Sequence, residues 1–490
     1  MSQKLASPAS TPEPNAKIRF GVRHTFTLLA LVWTAQILPI VSLLAGNAQS
    51  AIAIHFHTTQ IAWFGLMGVL IGTFVMPFVV KAAGMYGKRR VMIVISVLGL
   101  AGDAIAALAP NYATLLVGRG IAGLYVPIAA LSYSIARDVF PRHLVGPASG
   151  LMGGGLGLVG LGGPFLTGWV IDDFGFRGAL WFMAIATVLS LILLITVVPE
   201  SPVREARVRM DWLGGVLLGG GLTAIVYAIG QGAAWGWTSG KIFTYIGAGV
   251  LALIAFAVVE SRVANPLFPL PMLKRRKVWS VLVATAVVAA AVYSVGTVMQ
   301  LLALMPKIPG MSAGLGWSAT DNAIYTSPMS VLIIVVSVVT GILARRIEPR
   351  LLLSAAAFFA AAGFALGSHL HHSVSEIIVM GLVAGVGTGM TAAIVPIMII
   401  AAVPPEEQAL ANGAQSMVQG VVQAIVLQVT FVVMAKGGMV MKGTQFYSDG
   451  GFANGFWLMA GCVVLGGLLI LLIPKVKRLD EAEVGQAATS

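Results

Sequence analysis

VMIVISVLGLAGDAIAALAPNYATLLVGRGIAG, residues 91–123, is two apolar runs joined at Pro110 and Asn111, and each run carries one charge, Asp103 in the first and Arg119 in the second. At 1.5 Å rise, about 20 helical residues match the roughly 30 Å hydrocarbon layer of a bilayer. The stretch therefore reads as a transmembrane hairpin turning at Asn111. Asp103 lies eight residues before that turn and Arg119 eight residues after it. Both side chains then fall about 12 Å below the same membrane surface on adjacent antiparallel helices. A charge in hydrocarbon is costly unless paired or wet, so each is the other's expected partner.

The rest of the chain has the same character. Of 490 residues, 58% are hydrophobic and only 10% charged, where a soluble domain carries about 25% charged residues. A cytosolic enzyme, a disordered chain and a secreted disulfide scaffold are excluded. Cys462 is the single cysteine, which rules out an intrachain disulfide and a thiolate metal cluster. Hydrophobic windows give fourteen spans, near 25–46, 61–80, 91–110, 112–136, 145–170, 178–198, 212–231, 242–260, 278–303, 322–344, 350–368, 375–402, 408–434 and 453–474. The polar, Pro/Ser-rich start of the chain lacks a signal-peptide core and cleavage site, so the first span is expected to stay as an anchor.

With the amino terminus cytoplasmic, 24 of the 30 Lys and Arg fall in the inner loops and tails, five fall in outer loops, and Arg119 alone lies within a span. That asymmetry predicts both termini cytoplasmic, and the expected location is a cytoplasmic (inner) membrane of bacterial type, crossed many times. It also accounts for the net charge of +12 without nucleic acid, since basic inner loops meet anionic membrane lipids.

The loops leave no room for a soluble domain, so function sits among the helices. Gly is concentrated within spans, as in GLMGGGLGLVGLGGPFLTG (150–168), where small residues let helix backbones touch. Those glycines serve static packing or a surface on which helices rock. Two short basic turns, KAAGMYGKRR (81–90) and GILARRIEPR (341–350), join paired helices at corresponding places once the two spans within 201–277 are set aside. The expected architecture is an all-α integral membrane protein. It has a tail (1–24), a six-helix half (25–200), an inserted helix pair with linkers (201–277), a second six-helix half (278–474) and a tail (475–490). Two such halves around a midplane cavity suit alternating access.

LLVGRGIAG (115–123), GGPFLTG (162–168), VVPES (197–201), MDWLGG (210–215), AAWGWTSG (233–240) and VVESRVANPLFPLPMLKRR (258–276) occur in one order. In that order the chain resembles the major facilitator superfamily, and within it the fourteen-helix drug:proton antiporter branch of multidrug efflux type. The resemblance implies export of amphipathic small molecules against protons by a monomer without cofactors. It assigns a role to Arg119, places Gly163 and Pro164 in an antiporter motif, and places Gly84, Gly87, Lys88, Arg89 and Arg345 in gating loops. Departures accompany it. Gly84 stands where the family carries an aspartate, and Arg345 holds the equivalent place in the second half. Glu348 replaces a glycine, Val159 stands where a glycine is usual, Gln419 stands where an arginine is common, and the first helix (AQILPIVSLLAGNAQS, 35–50) has no acid. Uptake or facilitated diffusion of a small organic metabolite, and a transporter fold without proton coupling, therefore stay open.

Asp103 and Arg119 are either a fixed lock of their hairpin or a proton switch, because burial disfavours the carboxylate while Arg119 favours it. Gln415, Gln419 and Gln423 recur every four residues and form one polar stripe, which either binds substrate or ties helices. In the resembled fold the first and fourth helices of each half line the centre, which nominates Gln36, Tyr125, Ser132, Tyr133, Tyr293, Gln300 and Thr391 for substrate. His55, His57, His369, His371 and His372 read as polar residues at the membrane boundary, and no metal is expected. Enzyme chemistry would need convergent nucleophiles, bases or ligands at depth, and apart from the Asp103 and Arg119 pair the spans hold no such set.

Overall fold

The computed structural model describes residues 22–140, 142–202, 204, 211–263, 270–344, 346–403 and 408–474. Seventeen helices follow in order: α1 (Val22–Ala35), α2 (Ile37–His55), α3 (Ala62–Tyr86), α4 (Lys88–Ala107), α5 (Tyr112–Ala122), α6 (Ile128–Val139), α7 (Arg142–Thr196), α8 (Trp212–Gly230), α9 (Gly232–Trp235), α10 (Gly240–Glu260), α11 (Leu270–Lys274), α12 (Arg276–Leu304), α13 (Ala319–Leu343), α14 (Pro349–Gly367), α15 (Val374–Ala402), α16 (Gln408–Ala435) and α17 (Asp449–Ile470). Two small antiparallel hairpins interrupt them, β1 (Lys307–Ile308) with β2 (Ser312–Ala313), and β3 (Met439–Met441) with β4 (Thr444–Phe446).

Twelve of the described helical stretches are long and apolar enough to cross a membrane, or thirteen if the two arms of α3, bent by 48°, are one span. One of these stretches lies in α7, over Val159–Thr196, and Gly175 breaks it with φ 66°. A positive φ is open to glycine at little steric cost, so the chain reverses there into a second arm. Loops on the face where α1 begins and α17 ends, the near face, alternate with loops on the opposite, far face.

The amino-terminal half is α1 to α7 and the carboxy-terminal half α12 to α17. Within each, a pair of helices crosses backbone to backbone. A Cβ on Gly102 of α4 would stand 2.7 Å from the Gly118 carbonyl oxygen of α5, and one on Gly118 would stand 2.7 Å from that of Gly102. In the other half, Cβ atoms on Gly363 of α14 and Gly387 of α15 would collide with the backbones of Ala384 and Ala360. Van der Waals contact is a main force holding helices together in lipid, and these small residues supply it at matching crossings. The inserted helices α8 and α10 pack on each other, and α8 also touches α3 of one half and α16 of the other. Phe74 and Phe78 of α3 lie directly over Gly219 and Gly215 of α8. One apolar core runs through both halves, and a smaller cluster of Leu28, Leu31, Ile128, Ile135, Met152 and Leu194 fills the near end of the first.

Candidate functional site

The crossing of Gly102 on Gly118 sets the depth of the charges beside them. Arg119 Nη1 lies 3.6 Å from Asp103 Oδ1, and the two residues are 5% and 1% exposed. Thr187 of the second arm of α7 donates its hydroxyl to Asp103 Oδ2 at 3.2 Å, and the Tyr125 hydroxyl donates to Oδ1 at 3.4 Å. Tyr125 reaches that place because α5 gives way to a 3-10 turn at Gly123–Tyr125, where Gly123 packs 2.6 Å from the Gly68 carbonyl of α3 as measured from its ideal Cβ. Arg119 also lies over the Phe64 ring at 5.3 Å and touches the Met183 sulfur at 3.5 Å, and its Nε has no hydrogen-bond partner. Every contact named here belongs to α3, α4, α5, the 3-10 turn or α7. The pair is therefore embedded within the amino-terminal half, not set between the halves.

At the far face, side-chain hydrogen bonds that are neutral or helix-capping join the two halves. Ser50 donates to the Leu304 carbonyl at 2.9 Å, and Asn322 Nδ2 approaches Asn47 Oδ1 at 3.4 Å while Asn47 donates to Thr167 Oγ1 at 2.7 Å. Asp172 accepts the N–H groups of Ala319 and Thr320 at 3.0 and 2.9 Å, and Thr444 donates to the Ala53 carbonyl at 3.1 Å. Gln300 of α12 lies across Gly46 of α2, where any Cβ would collide with it.

At the near face, Gly87 adopts φ 108° between α3 and α4, and a Cβ there would come within 2.9 Å of Glu200 Oε2. Glu200 accepts the backbone N–H groups of Arg89 (3.0 Å) and Arg90 (3.3 Å) and caps α4. Lys88 pairs with Asp138, which also accepts the Ser201 hydroxyl at 2.6 Å. The Arg89 side chain donates to the carbonyls of Leu194 (2.8 Å) and Ile195. Gly84 itself is buried in α3. Arg345 lies outside the described residues.

The other nominated side chains divide. Gln36 donates to the Met152 carbonyl at 2.8 Å, and Gly155 and Gly163 of α7 pack against Gln36 and Leu43. The Pro164 carbonyl accepts from Thr167 at 3.0 Å. Ser132 and Thr391 are fully buried and donate to carbonyls of their own helices at 2.8 Å, so neither presents its hydroxyl to open space. Gln415 accepts from Thr285 at 2.9 Å and ties α16 to α12, while Gln419 and Gln423 are half-buried. Tyr133 and Tyr293 are partly exposed.

Of the histidines, His55 packs against Phe56 and Phe176 and His369 against Trp457. His371 and His372 stack on each other beside Asp449. Burial pushes the His371 imidazole below its usual value and His372 adds to that, while Asp449 and the Gly367 carbonyl oppose it. Sequence reasoning passed over Asn47, Thr187 and Asp172. A polar side chain within an apolar run is the signal that marks Asn47 and Thr187, but nothing local marks Asp172, whose partners lie 147 and 148 residues away.

The model of the Major Facilitator Superfamily matches residues 25–427. Multidrug resistance protein 3 of Bacillus subtilis (strain 168) is 26% identical over 398 residues, covering 79% of this chain and 74% of that protein. The uridine/deoxyuridine transporter of Lactococcus lactis subsp. cremoris (strain MG1363) is 27% identical over 230 residues, 44% of this chain and 46% of that protein. The crystal structure of the peptide transporter POT in complex with sulfate superposes with a TM-score of 0.64 at 14% identity, covering 91% of this chain and 94% of that one, a likeness of fold alone. With its all-helical halves, paired crossings and matched length, this multi-pass membrane protein belongs to the Major Facilitator Superfamily.

Proposed function

We propose that the protein exports amphipathic or lipophilic small molecules by alternating access, in exchange for protons, from a cytoplasmic membrane with both termini inside the cell. The observation that carries the reading is the set of hydrogen bonds that join the two halves at the far face. The links of Ser50, Asn47, Asp172 and Thr444 fasten one face, so this conformation has that face closed. Weak links, neutral apart from the exposed Asp172 cap, suit an interface that must part and re-form, since each contributes about 1 kcal/mol net.

Tyr133, Tyr293, Gln300, Gln419 and Gln423 are the groups proposed to meet substrate. They offer rings and amides and no fixed charge, which favours a largely apolar ligand with at most one charge. Gln36, Tyr125, Ser132, Thr391 and Gln415 position the helices around them. Asp103 is the proposed proton carrier and Arg119 its counter-charge. Protonation frees Arg119 from the carboxylate and alters how α4, α5 and the second arm of α7 hold together, which biases the two states. Protons, substrate and surrounding lipid are the partners, and the working unit is a monomer.

The likeness to multidrug resistance protein 3 supports efflux, and that to the uridine/deoxyuridine transporter supports a second reading, uptake of a small organic metabolite. Proteoliposomes with an imposed pH gradient separate them. Gradient-driven expulsion of a lipophilic cation or neutral drug supports export. Flux of nucleosides alone, in either direction and indifferent to the gradient, would sink it.

A further inference from the structure

At the far face the loop between α14 and α15 meets the start of α17. His371 Nε2 lies 3.0 Å and His372 Nε2 2.7 Å from the same oxygen, Asp449 Oδ1. The three candidate ligand atoms all lie within 4.8 Å of one another. The other nitrogen of each ring is already engaged. His371 Nδ1 faces the Gly367 carbonyl at 2.8 Å, and His372 Nδ1 faces Glu376 Oε2 at 3.4 Å.

Both nitrogens of each ring thus face groups that only accept, and a neutral imidazole carries one hydrogen, so one nitrogen of each ring meets an oxygen with its lone pair. With the hydrogens on Nδ1, facing Gly367 and Glu376, both Nε2 lone pairs face Asp449 Oδ1 and three acceptors converge. Adding a proton to each ring would place two positive charges face to face, since the rings stack with centroids 4.3 Å apart. A proton on one ring alone, or one bound cation, relieves the conflict, and only the cation uses both Nε2 lone pairs at once. Imidazoles that bind a metal through one nitrogen usually donate from the other to a backbone carbonyl or a carboxylate, and Gly367 and Glu376 occupy those two roles here.

We propose that His371, His372 and Asp449 form a binding site for a divalent transition-metal cation of the zinc type, with water completing the coordination. Two imidazole nitrogens select against magnesium and calcium, which take oxygen ligands. Bonds of about 2.0–2.2 Å place tetrahedral ligand atoms about 3.3 Å apart. The cation enters with a small outward swing of Asp449, whose side chain is 60% exposed, and the exposed His372 edge leaves the remaining position to solvent.

The site stands at the root of the β3–β4 hairpin, since only Tyr447 and Ser448 separate β4 from Asp449. That hairpin's tip reaches the other half, where Thr444 bonds the Ala53 carbonyl and Gly443 packs on that of His57. A bound ion would hold the hairpin's base to the α14–α15 loop.

The test is zinc titration of the full-length protein, purified without a histidine tag, stripped with chelator and assayed in competition with a chromophoric zinc indicator. One equivalent should bind. His372→Ala and Asp449→Asn, both at exposed positions, should each weaken that binding more than tenfold, and Glu376→Gln about tenfold. His57→Ala should leave it unchanged, and magnesium should not compete. Absence of bound zinc in the wild type, or equal zinc in the wild type and the His372→Ala and Asp449→Asn proteins, would overturn the proposal. These readouts use no transport measurement, so they stand or fall apart from the reading of export.

Discussion

Asp172, at the far end of the first arm of α7, accepts the backbone N–H of Ala319 at 3.0 Å, so the amino-terminal half supplies a cap to a helix of the other half. The same carboxylate takes the Thr320 N–H, and Ser318 takes that of Asp321. Three of the four N–H groups that a helix leaves unpaired at its start are thereby satisfied, two of them from across the interface. An anion there also meets the positive end of the helix dipole. Parting the halves on this face exposes those N–H groups to water again, so the cap favours the closed face.

Asp172→Ala should therefore shift the protein toward a far-open state without unfolding it. Because Asp172 is solvent-exposed, the effect is set at about 1 kcal/mol, or roughly fivefold in population. Distances between spin labels on the 56–60 loop and the β3–β4 hairpin, in a Cys462→Ser background, measure it. An unchanged distance distribution would show that the cap does not report the state.

Gly168, the last residue of GGPFLTG, makes a sharper prediction. Its Cβ would stand 2.9 Å from Thr320 Cα and 3.0 Å from the Ala319 carbonyl carbon. These are backbone atoms of the opposite half, which cannot rotate away. Gly168→Val should push α7 off α13 and populate the far-open state more strongly than Asp172→Ala, while Gly162→Val, whose added Cβ would have nothing within 4 Å, should not. Equal spin-label distances for the two glycine variants would refute the steric reading.

The spans were legible because a bilayer demands an apolar run of fixed length, and the Asp103 and Arg119 pair was legible because a tight turn fixes depth on both sides of it. Position within the bundle was less accessible. Depth alone does not say which face of a helix carries a residue, so the same counting could not show that the pair is enclosed by Thr187 and Phe64, not set against the other half. The carboxylates of the near face were hidden for another reason. Sequence comparison looks for an acid at the motif position occupied by Gly84, whereas the chain brings Glu200 to Arg89 from 111 residues away. The division of α7 turns on Gly175, one of many glycines in that segment, and only its positive φ distinguishes it.

Arg119→Ala should cost stability, because it leaves Asp103 buried without a counter-charge. Removing one partner of a buried pair typically costs about 3–5 kcal/mol, whereas replacing both with apolar residues of similar size is often neutral. The double variant Asp103→Leu with Arg119→Met should thus recover most of the loss. Thermal denaturation in detergent of the wild type, the single variants and the double variant tests the cycle. Additive losses would show that the two charges do not depend on each other.

Asp103→Asn separates a fixed lock from a proton switch. Asparagine preserves volume, and its amide oxygen can accept from one of Tyr125 and Thr187, which bond the two Asp103 oxygens in the wild type at 3.4 and 3.2 Å, while its NH2 group can donate to the hydroxyl of the other. The fold and the proposed substrate-facing groups, Tyr293 and Gln300 among them, are untouched. A fixed lock loses only part of its attraction, so transport driven by a pH gradient should persist at a reduced rate. A proton carrier loses its titrating group altogether. Gradient-driven accumulation in proteoliposomes should then fall to background, while exchange of labelled for unlabelled substrate continues at near wild-type rate, because exchange needs the halves to rock but no net proton movement. Full-rate pumping by Asp103→Asn against a substrate gradient would exclude Asp103 as the carrier and leave Arg119 with the task of holding α5 against α3 and α7.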